Sequence, residues 1–189
     1  MEENTKETIT PKTHFLETKG NIWEYFYSNE AAVVIPTNGS RDKFGYNVMD
    51  SGLALDAKEL FPNLPMLIGR SIKKMKGHNG VFVFSFPTDK VNEAEKKKEY
   101  NFVFTFPTKY NYWDNVADFK RIELSTFQLV KALNQLEKRL GIEKVVVPRV
   151  GCGSGNLNWK EVQPILFNLL DERLIVIEKD IEEDTYGIE

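Results

Sequence analysis

The stretch Val145-Val-Val-Pro-Arg-Val-Gly-Cys-Gly-Ser-Gly-Asn-Leu-Asn-Trp159 decides the fold. Val145, Val146 and Val147 are three β-branched residues in a row, the composition of a buried strand. Glycines follow at 151, 153 and 155, and a helical pattern runs from Trp159 to Leu170. Strand, glycine ladder and helix start together make an anion cradle. Glycine lets the backbone approach a phosphate closely, and unpaired N–H groups at a turn and a helix N-terminus point toward it. The same arrangement occurs in several nucleotide-binding folds and in plain tight turns, so the loop alone suggests a chemistry and no family.

Working outward, Ala31-Ala-Val-Val-Ile35 reads as a strand stopped by Pro36 and opened into a loop by Thr37-Asn-Gly39. Residues 14–20 read as a short edge strand, followed by Asn21 as the cap of an aromatic helix, Ile22-Trp-Glu-Tyr-Phe-Tyr27. Residues 40–50 mix charge, glycine and aromatics and read as a loop. Residues 51–61 fit a helix that stops at Pro62, and 66–75 a second short one with Lys73, Lys74 and Lys76 near its end. Two look-alike strands, Val81-Phe-Val-Phe-Ser-Phe-Pro-Thr88 and Phe102-Val-Phe-Thr-Phe-Pro-Thr108, flank a charged connection, 89–101. They suggest a hairpin whose Lys96, Lys97 and Lys98 form a solvated face. The longest helix spans 119–140, with Gly141 as its stop, and Leu174-Ile-Val-Ile177 is a last buried strand. Strands alternating with helices predict an α/β sandwich around a mixed sheet. Residues 1–13 are expected to be a flexible lead-in, 14–180 one domain, and 181–189 an acidic tail.

With 41% hydrophobic and 28% charged residues in 189, the composition is that of an ordinary globular domain with a sizeable core. No apolar run approaches the ~20 residues that cross a bilayer, and the polar start is unlike a signal peptide. The single cysteine, Cys152, excludes an internal disulfide and suits a reducing compartment, so a cytoplasmic location is expected. A net charge of -3 gives no global attraction to nucleic acid and leaves room for a local basic patch. His14 and His78 stand in an edge strand and a Gly-Asn loop, so neither a zinc site nor a cysteine–histidine pair is expected, and no cofactor. Nothing resembles a coiled coil, and a monomer is expected.

Several loops carry unusual residues together: Gly20-Asn-Ile-Trp23, Pro36-Thr-Asn-Gly39, Val48-Met-Asp-Ser-Gly-Leu-Ala54, Phe106-Pro-Thr-Lys109 with Trp113, and Pro148 to Trp159. In this order and at these separations they resemble the macrodomain family, which binds ADP-ribose, over residues 15–177. The resemblance implies a three-layer α/β/α fold with a central mixed sheet. It points to the branch that contains terminal ADP-ribose glycohydrolases and DNA-ADP-ribose glycohydrolase antitoxins, with similar single-domain proteins in bacteria and phages. The implied partner is ADP-ribose, or DNA or protein modified with it.

Site roles follow from the resemblance position by position. Asn38 would face the distal ribose. Asp50, Ser51 and Gly52 would line one side of the diphosphate, and Gly151, Gly153, Ser154 and Gly155 the other. Asn21 would sit beside the adenine, where the family commonly has an aspartate. Ile22, Thr37, Cys152 and Asn156 complete the implied ligand-binding set. Lys109 matches a lysine near the anomeric carbon of the distal ribose. Set among Tyr110, Tyr112 and Trp113 it would be partly desolvated, which favours an amine that acts as nucleophile or base. The terminal-glycohydrolase pattern also carries an aspartate where this chain has Gly155; the DNA-directed relatives lack it too.

Ordinary roles compete with these. Cys152 reads as a small loop residue, Trp159 as packing at a helix start, and Arg149 as the partner of an internal carboxylate. The expected activity is removal of ADP-ribose from a modified macromolecule. Alternatives are a phosphatase acting on ADP-ribose 1″-phosphate and a non-catalytic binder of ADP-ribose or a related NAD-derived nucleotide. A Rossmann dehydrogenase is disfavoured, because its glycine fingerprint opens the domain, whereas here one strand remains after the loop.

Overall fold

The computed structural model describes residues 16–77, 79–94, 97–170 and 172–179. The expectations for residues 1–13, His14, His78, Lys96 and the tail 181–189 fall outside the described residues. In chain order the elements are β1 (Leu16–Gly20), α1 (Ile22–Tyr27), β2 (Ala32–Asn38), α2 (Gly52–Leu60), α3 (Leu64–Lys74), β3 (Val83–Asn92) and β4 (Lys97–Lys109). They continue with α4 (Phe119–Leu140), β5 (Val145–Pro148), α5 (Trp159–Phe167) and β6 (Leu174–Lys179). The strands form one sheet in the order β1-β6-β5-β2-β4-β3. Every neighbouring pair is parallel except β3 with β4.

The strand period of two distributes the apolar runs over two cores. Ala32 and Val34, with Val145, Val147, Phe104, Phe106, Leu174 and Val176, pack against Ile122, Leu129 and Leu133 of α4 and Val162 and Leu166 of α5. Val33 and Ile35, with Val103, Val146 and Ile177, pack on the other side. There they meet Ile22 and Phe26 of α1, Ala57 of α2, and Leu64, Ile68 and Ile72 of α3. A strand covered on both faces must be apolar at every position, which is why Val145 to Val147 shows no polar alternation. Each such side chain contributes roughly 1.5–3 kcal/mol of transfer free energy. The α/β/α layering is therefore what this alternation builds.

Helix ends follow local chemistry. Asn21 caps α1, accepting from Trp23 N at 3.0 Å. Asp118 caps α4, accepting from Arg121 N at 2.7 Å, and Gly141 ends it in the left-handed region at φ 66. Helix α3 begins at Leu64 rather than at 66, because Pro65 suits the first turn, where its missing N–H is not needed. Helix α5 stops at Phe167 instead of reaching Leu170; Leu169 N and Leu170 N both turn back to the Leu166 carbonyl.

The charged connection 89–101 is largely strand, which corrects the expectation of an exposed linker. Val91 pairs with Lys98 and Asn92 with Lys97 in the antiparallel ladder. An edge ribbon wet on both faces accommodates charge, so polarity there does not signal a loop. Its base is fixed by buried Asn101, whose Nδ2 donates to Phe26 O at 3.0 Å and Ala31 O at 2.8 Å. Phe102 N donates to the same amide's oxygen at 2.7 Å. The hairpin is thereby tied to the turn between α1 and β2.

Candidate functional site

Strands β1, β6, β5, β2 and β4 run parallel, so the loops after β1, β2, β4 and β5 emerge on one rim of the sheet. This is where ligands collect in open α/β sheets. All the motifs named from the sequence lie on that rim or on the helices that begin there.

A bulge sets the geometry at the centre. Thr37 pairs with Pro107, but the next residue, Asn38, pairs with Lys109, so Thr108 is an extra residue in β4. Bulges near sites commonly re-aim a side chain. Here the bulge sets Lys109 beside Asn38, and the Lys109 Nζ donates to Ser154 O at 2.8 Å. The amine is thus docked on the glycine loop that follows β5.

That loop offers donors. Cys152 N donates to Arg149 O at 3.2 Å, Asn156 N to Gly153 O at 2.9 Å and Leu157 N to Gly151 O at 2.9 Å. The N–H groups of Gly153, Ser154 and Gly155 between them have no acceptor among the described residues. Across from them Gly52 opens α2 at φ 54, close enough that a Cβ there would lie 3.1 Å from Ser154 Oγ. Ser51 is the N-cap of α2 and makes no side-chain cap bond; it and Asp50 are exposed. Two backbone loops with unpaired N–H groups therefore face one another, with a cation at one end.

Gly155 itself is buried against its own loop and the segment before α4. A Cβ there would overlap Gly151 O and stand 2.8 Å from Gly151 Cα and 2.9 Å from Ala117 Cβ. Ala117 N donates to Gly155 O at 2.8 Å, and Asn156 Nδ2 to Asn115 O at 3.0 Å. The site leaves no room for an acidic side chain at that position.

Asn38 is largely engaged inside the protein. Its Nδ2 donates to Val48 O at 2.7 Å, and its Oδ1 accepts from Ser40 N at 3.1 Å and Asn47 Nδ2 at 3.0 Å. One Nδ2 hydrogen is left to offer a ligand. Thr37 is buried, and its hydroxyl has no partner among the described residues. Asn21 uses its amide oxygen as the α1 cap, while Ile22 is 5% exposed and belongs to the core. Tyr112 N donates to Ser40 Oγ at 2.9 Å, stitching the loop after β4 to the loop after β2. Tyr112 and Trp113 pack edge to face and are exposed.

Three side chains take ordinary structural roles. Arg149 Nη1 pairs with Glu178 Oε1 at 2.5 Å, with its guanidinium 5.3 Å from the Trp159 ring. The Trp159 Nε1 donates to Glu17 Oε1 at 3.0 Å. Burial pushes the Cys152 thiol up to about 11, against a smaller downward pull from Arg149, so it is a neutral thiol at physiological pH.

Sequence reasoning missed Asn47, Asn79 and Arg121. Asn47 Nδ2 also donates to Ser40 O at 2.8 Å, and Asn79 Nδ2 donates to Asn38 O at 2.6 Å. Together these two amides fix the backbone at the end of β2. Nothing in their local sequence marks that role. Arg121 was detectable: it lies next to Ile122 on the buried stripe of α4, where a cation is out of place.

No protein-family model matches the chain. A curated relative, the DNA ADP-ribosyl transferase–DNA ADP-ribosyl glycohydrolase fusion protein of Thermosipho africanus, is 29% identical over 139 residues. That alignment covers 69% of this chain and 34% of the relative, so the chain spans about a third of the fusion protein's length. Among solved structures, the T. africanus DarTG complex with ADP-ribose aligns at TM-score 0.61 and 24% identity, covering 90% of this chain and 43% of that one. The macrodomain of Thermus aquaticus DarG aligns at TM-score 0.62 and 23% identity, covering 89% and 99% of the two chains. The macrodomain of Mycobacterium tuberculosis DarG aligns at 0.58 and 22%, covering 87% and 98%. With the sheet order, the rim of loops and these alignments in hand, the chain has the three-layer macrodomain fold.

Proposed function

We propose that this chain binds ADP-ribose between the loop before α2 and the loop after β5, and hydrolyses the bond joining it to a modified macromolecule. One observation carries the reading: the Lys109 Nζ sits 2.8 Å from Ser154 O, at the end of a run of unpaired backbone N–H groups. The N–H groups of Gly153 to Gly155 hold the diphosphate, as backbone donors at a turn hold anions. The distal ribose then lies over the Asn38–Lys109 pair. As the bond from the anomeric carbon to the macromolecule breaks, either the deprotonated lysine amine adds there and water later displaces it, or the lysine ammonium protonates the departing acceptor and water adds directly, while the diphosphate contacts keep the sugar in place. The adenine lies toward Asn21, at the far end of the rim.

The test is to incubate the protein separately with a mono-ADP-ribosylated oligonucleotide and a carboxylate-linked ADP-ribosyl protein, and to assay free ADP-ribose. Release from the oligonucleotide is expected, in keeping with the names of the similar proteins. Release of inorganic phosphate from ADP-ribose 1″-phosphate, without release from either macromolecule, would assign the bond differently. The non-catalytic reading is favoured by one observation, the lack of space for an acid at Gly155. Calorimetry showing tight ADP-ribose binding with no turnover of any of these substrates would select it.

A further inference from the structure

Arg121 is 5% exposed on α4, and its charge is balanced inside the protein. Burial lowers its pKa, while Tyr110, whose ring lies 5.9 Å from the guanidinium, and Asp118 act in the opposite direction. With its charge met by these neighbours, the side chain donates through Nη2 to Asn79 O at 2.9 Å. Asn79 lies between α3 and β3, outside any helix or strand, so the guanidinium supplies a backbone partner that regular structure does not. Two further bonds tie the segment down, Val81 N to Gln128 Oε1 at 3.2 Å and Thr105 Oγ1 to Gly80 O at 3.3 Å.

The Asn79 side chain has one satisfactory orientation. Its Oδ1 accepts from Gly80 N at 2.8 Å, so Nδ2 is the end that faces Asn38 O, at 2.6 Å. A reversed amide would set oxygen against oxygen and N–H against N–H. Asn47 Nδ2 reaches the same carbonyl at 3.2 Å. The Asn38 side chain is fixed in turn by Val48 O and Ser40 N, which leaves one Nδ2 hydrogen at the rim beside Lys109. A polar chain thus runs from a buried cation on α4, through Asn79, to the last residue of β2. Satisfied polar networks rigidify what they hold, and a donor already in place needs no reordering when a ligand arrives.

We propose that Asn79, anchored by Arg121, is a positioning residue for the distal ribose: it holds Asn38 so that the free amide hydrogen meets a sugar hydroxyl. The inference rests on the ADP-ribose reading of the cleft. Asn79 and Arg121 act through Asn38 and not on the ligand. Their influence is therefore confined to the part of the ligand that lies over Asn38, and binding of the adenine and the diphosphate does not depend on them.

Adenosine diphosphate, which lacks the distal ribose, separates this role from a general loss of fold. The measurement is calorimetry with ADP-ribose and with adenosine diphosphate on the wild-type protein, Asn79→Asp, Arg121→Met and the double variant. Asn79→Asp keeps the acceptor for Gly80 N and replaces the donor that faces Asn38 O with a second acceptor. It should weaken ADP-ribose binding by about three- to tenfold, the equivalent of one lost hydrogen bond, and leave the adenosine diphosphate Kd unchanged. Arg121→Met should act in the same direction. The double variant should lose no more than the larger single loss, because both substitutions act on one carbonyl. Burial makes misfolding a risk for Arg121→Met; the adenosine diphosphate Kd reports it, and Asn79→Asp then carries the test alone. Unchanged ADP-ribose affinity in Asn79→Asp, or an equal loss for both ligands, would overturn the positioning role and leave the proposed function standing. Losses that add in the double variant would break the link between Arg121 and Asn79. A wild-type protein that does not bind ADP-ribose would remove the reading beneath, and this inference with it.

Discussion

Lys109 and Ser154 come from different strand ends, 45 positions apart in sequence, and meet through a 2.8 Å bond between an ammonium and a backbone carbonyl. The contact orients the candidate amine by a main-chain atom, which side-chain substitution at 154 does not remove. It also makes a separable prediction. Lys109→Ala should lower ADP-ribose release by about 10²–10⁴, the usual range for a lost proton-transfer or nucleophilic group. Binding of free ADP-ribose, measured by calorimetry, should change little. Unchanged release would reject the assignment; rescue by Lys109→Arg would mean that charge and not the amine matters.

Restoring an acid to the glycine loop should fail. Gly155→Asp introduces a Cβ into space held by Gly151 and Ala117. Overpacking of this kind costs ~1–3 kcal/mol, so the urea midpoint should fall and ADP-ribose affinity with it. Gly153→Ala is the matched comparison, because nothing lies within 4 Å of its Cβ position. Its stability should stay within ~0.5 kcal/mol of the parent, while a methyl beside the diphosphate should weaken ADP-ribose binding. Equal affinity for ADP-ribose in Gly153→Ala would place the diphosphate elsewhere.

Asn101 is a structural linchpin remote from the rim. Its Nδ2 satisfies two carbonyls, Phe26 O and Ala31 O. Asn101→Ala removes the donor from Ala31 O, at ~1–3 kcal/mol for an unsatisfied buried group, while Phe26 O keeps its bond from Asn29 N. A fall in the denaturation midpoint without a change in m-value is expected. A midpoint within error of the parent would show that water replaces the amide.

Cys152 should be slow to react. Its folded pKa, about 11, exceeds the ordinary thiol value, so alkylation by iodoacetamide should remain slow at pH 8 and climb as pH approaches 11. The linkage has a definite sign. A folded pKa above the unfolded one contributes stability that is fully present below the ordinary thiol range and lost as pH rises through about 11. Fast labelling of the native protein at neutral pH would contradict the burial that raises it.

The parts of the fold legible in sequence were those where one physical cause acts alone. Continuous β-branched runs such as Val145 to Val147 can only be strands covered on both faces, and Gly141 ends α4 because it adopts a left-handed conformation there. The hairpin is not legible over 89–101, because its charged residues suit a wet ribbon as well as a loop. At the rim, the sequence placed Lys109 and the glycine ladder on the correct strand ends. It did not reveal that the Asn38 amide is mostly engaged with Val48, Ser40 and Asn47, since those partners arrive through tertiary contacts. Arg121 is legible in the sequence as a cation on the apolar stripe of α4.

The extra residue in β4 bears on how relatives are aligned. Val33 pairs with Val103 and Thr37 with Pro107, an offset of 70, whereas Asn38 pairs with Lys109, an offset of 71. Any homologue without that additional position would carry its lysine one place earlier, and a gap-free alignment would then match that lysine to a threonine. Searches for members of this group that rely on column identity will overlook such chains unless a gap is allowed between Pro107 and Lys109.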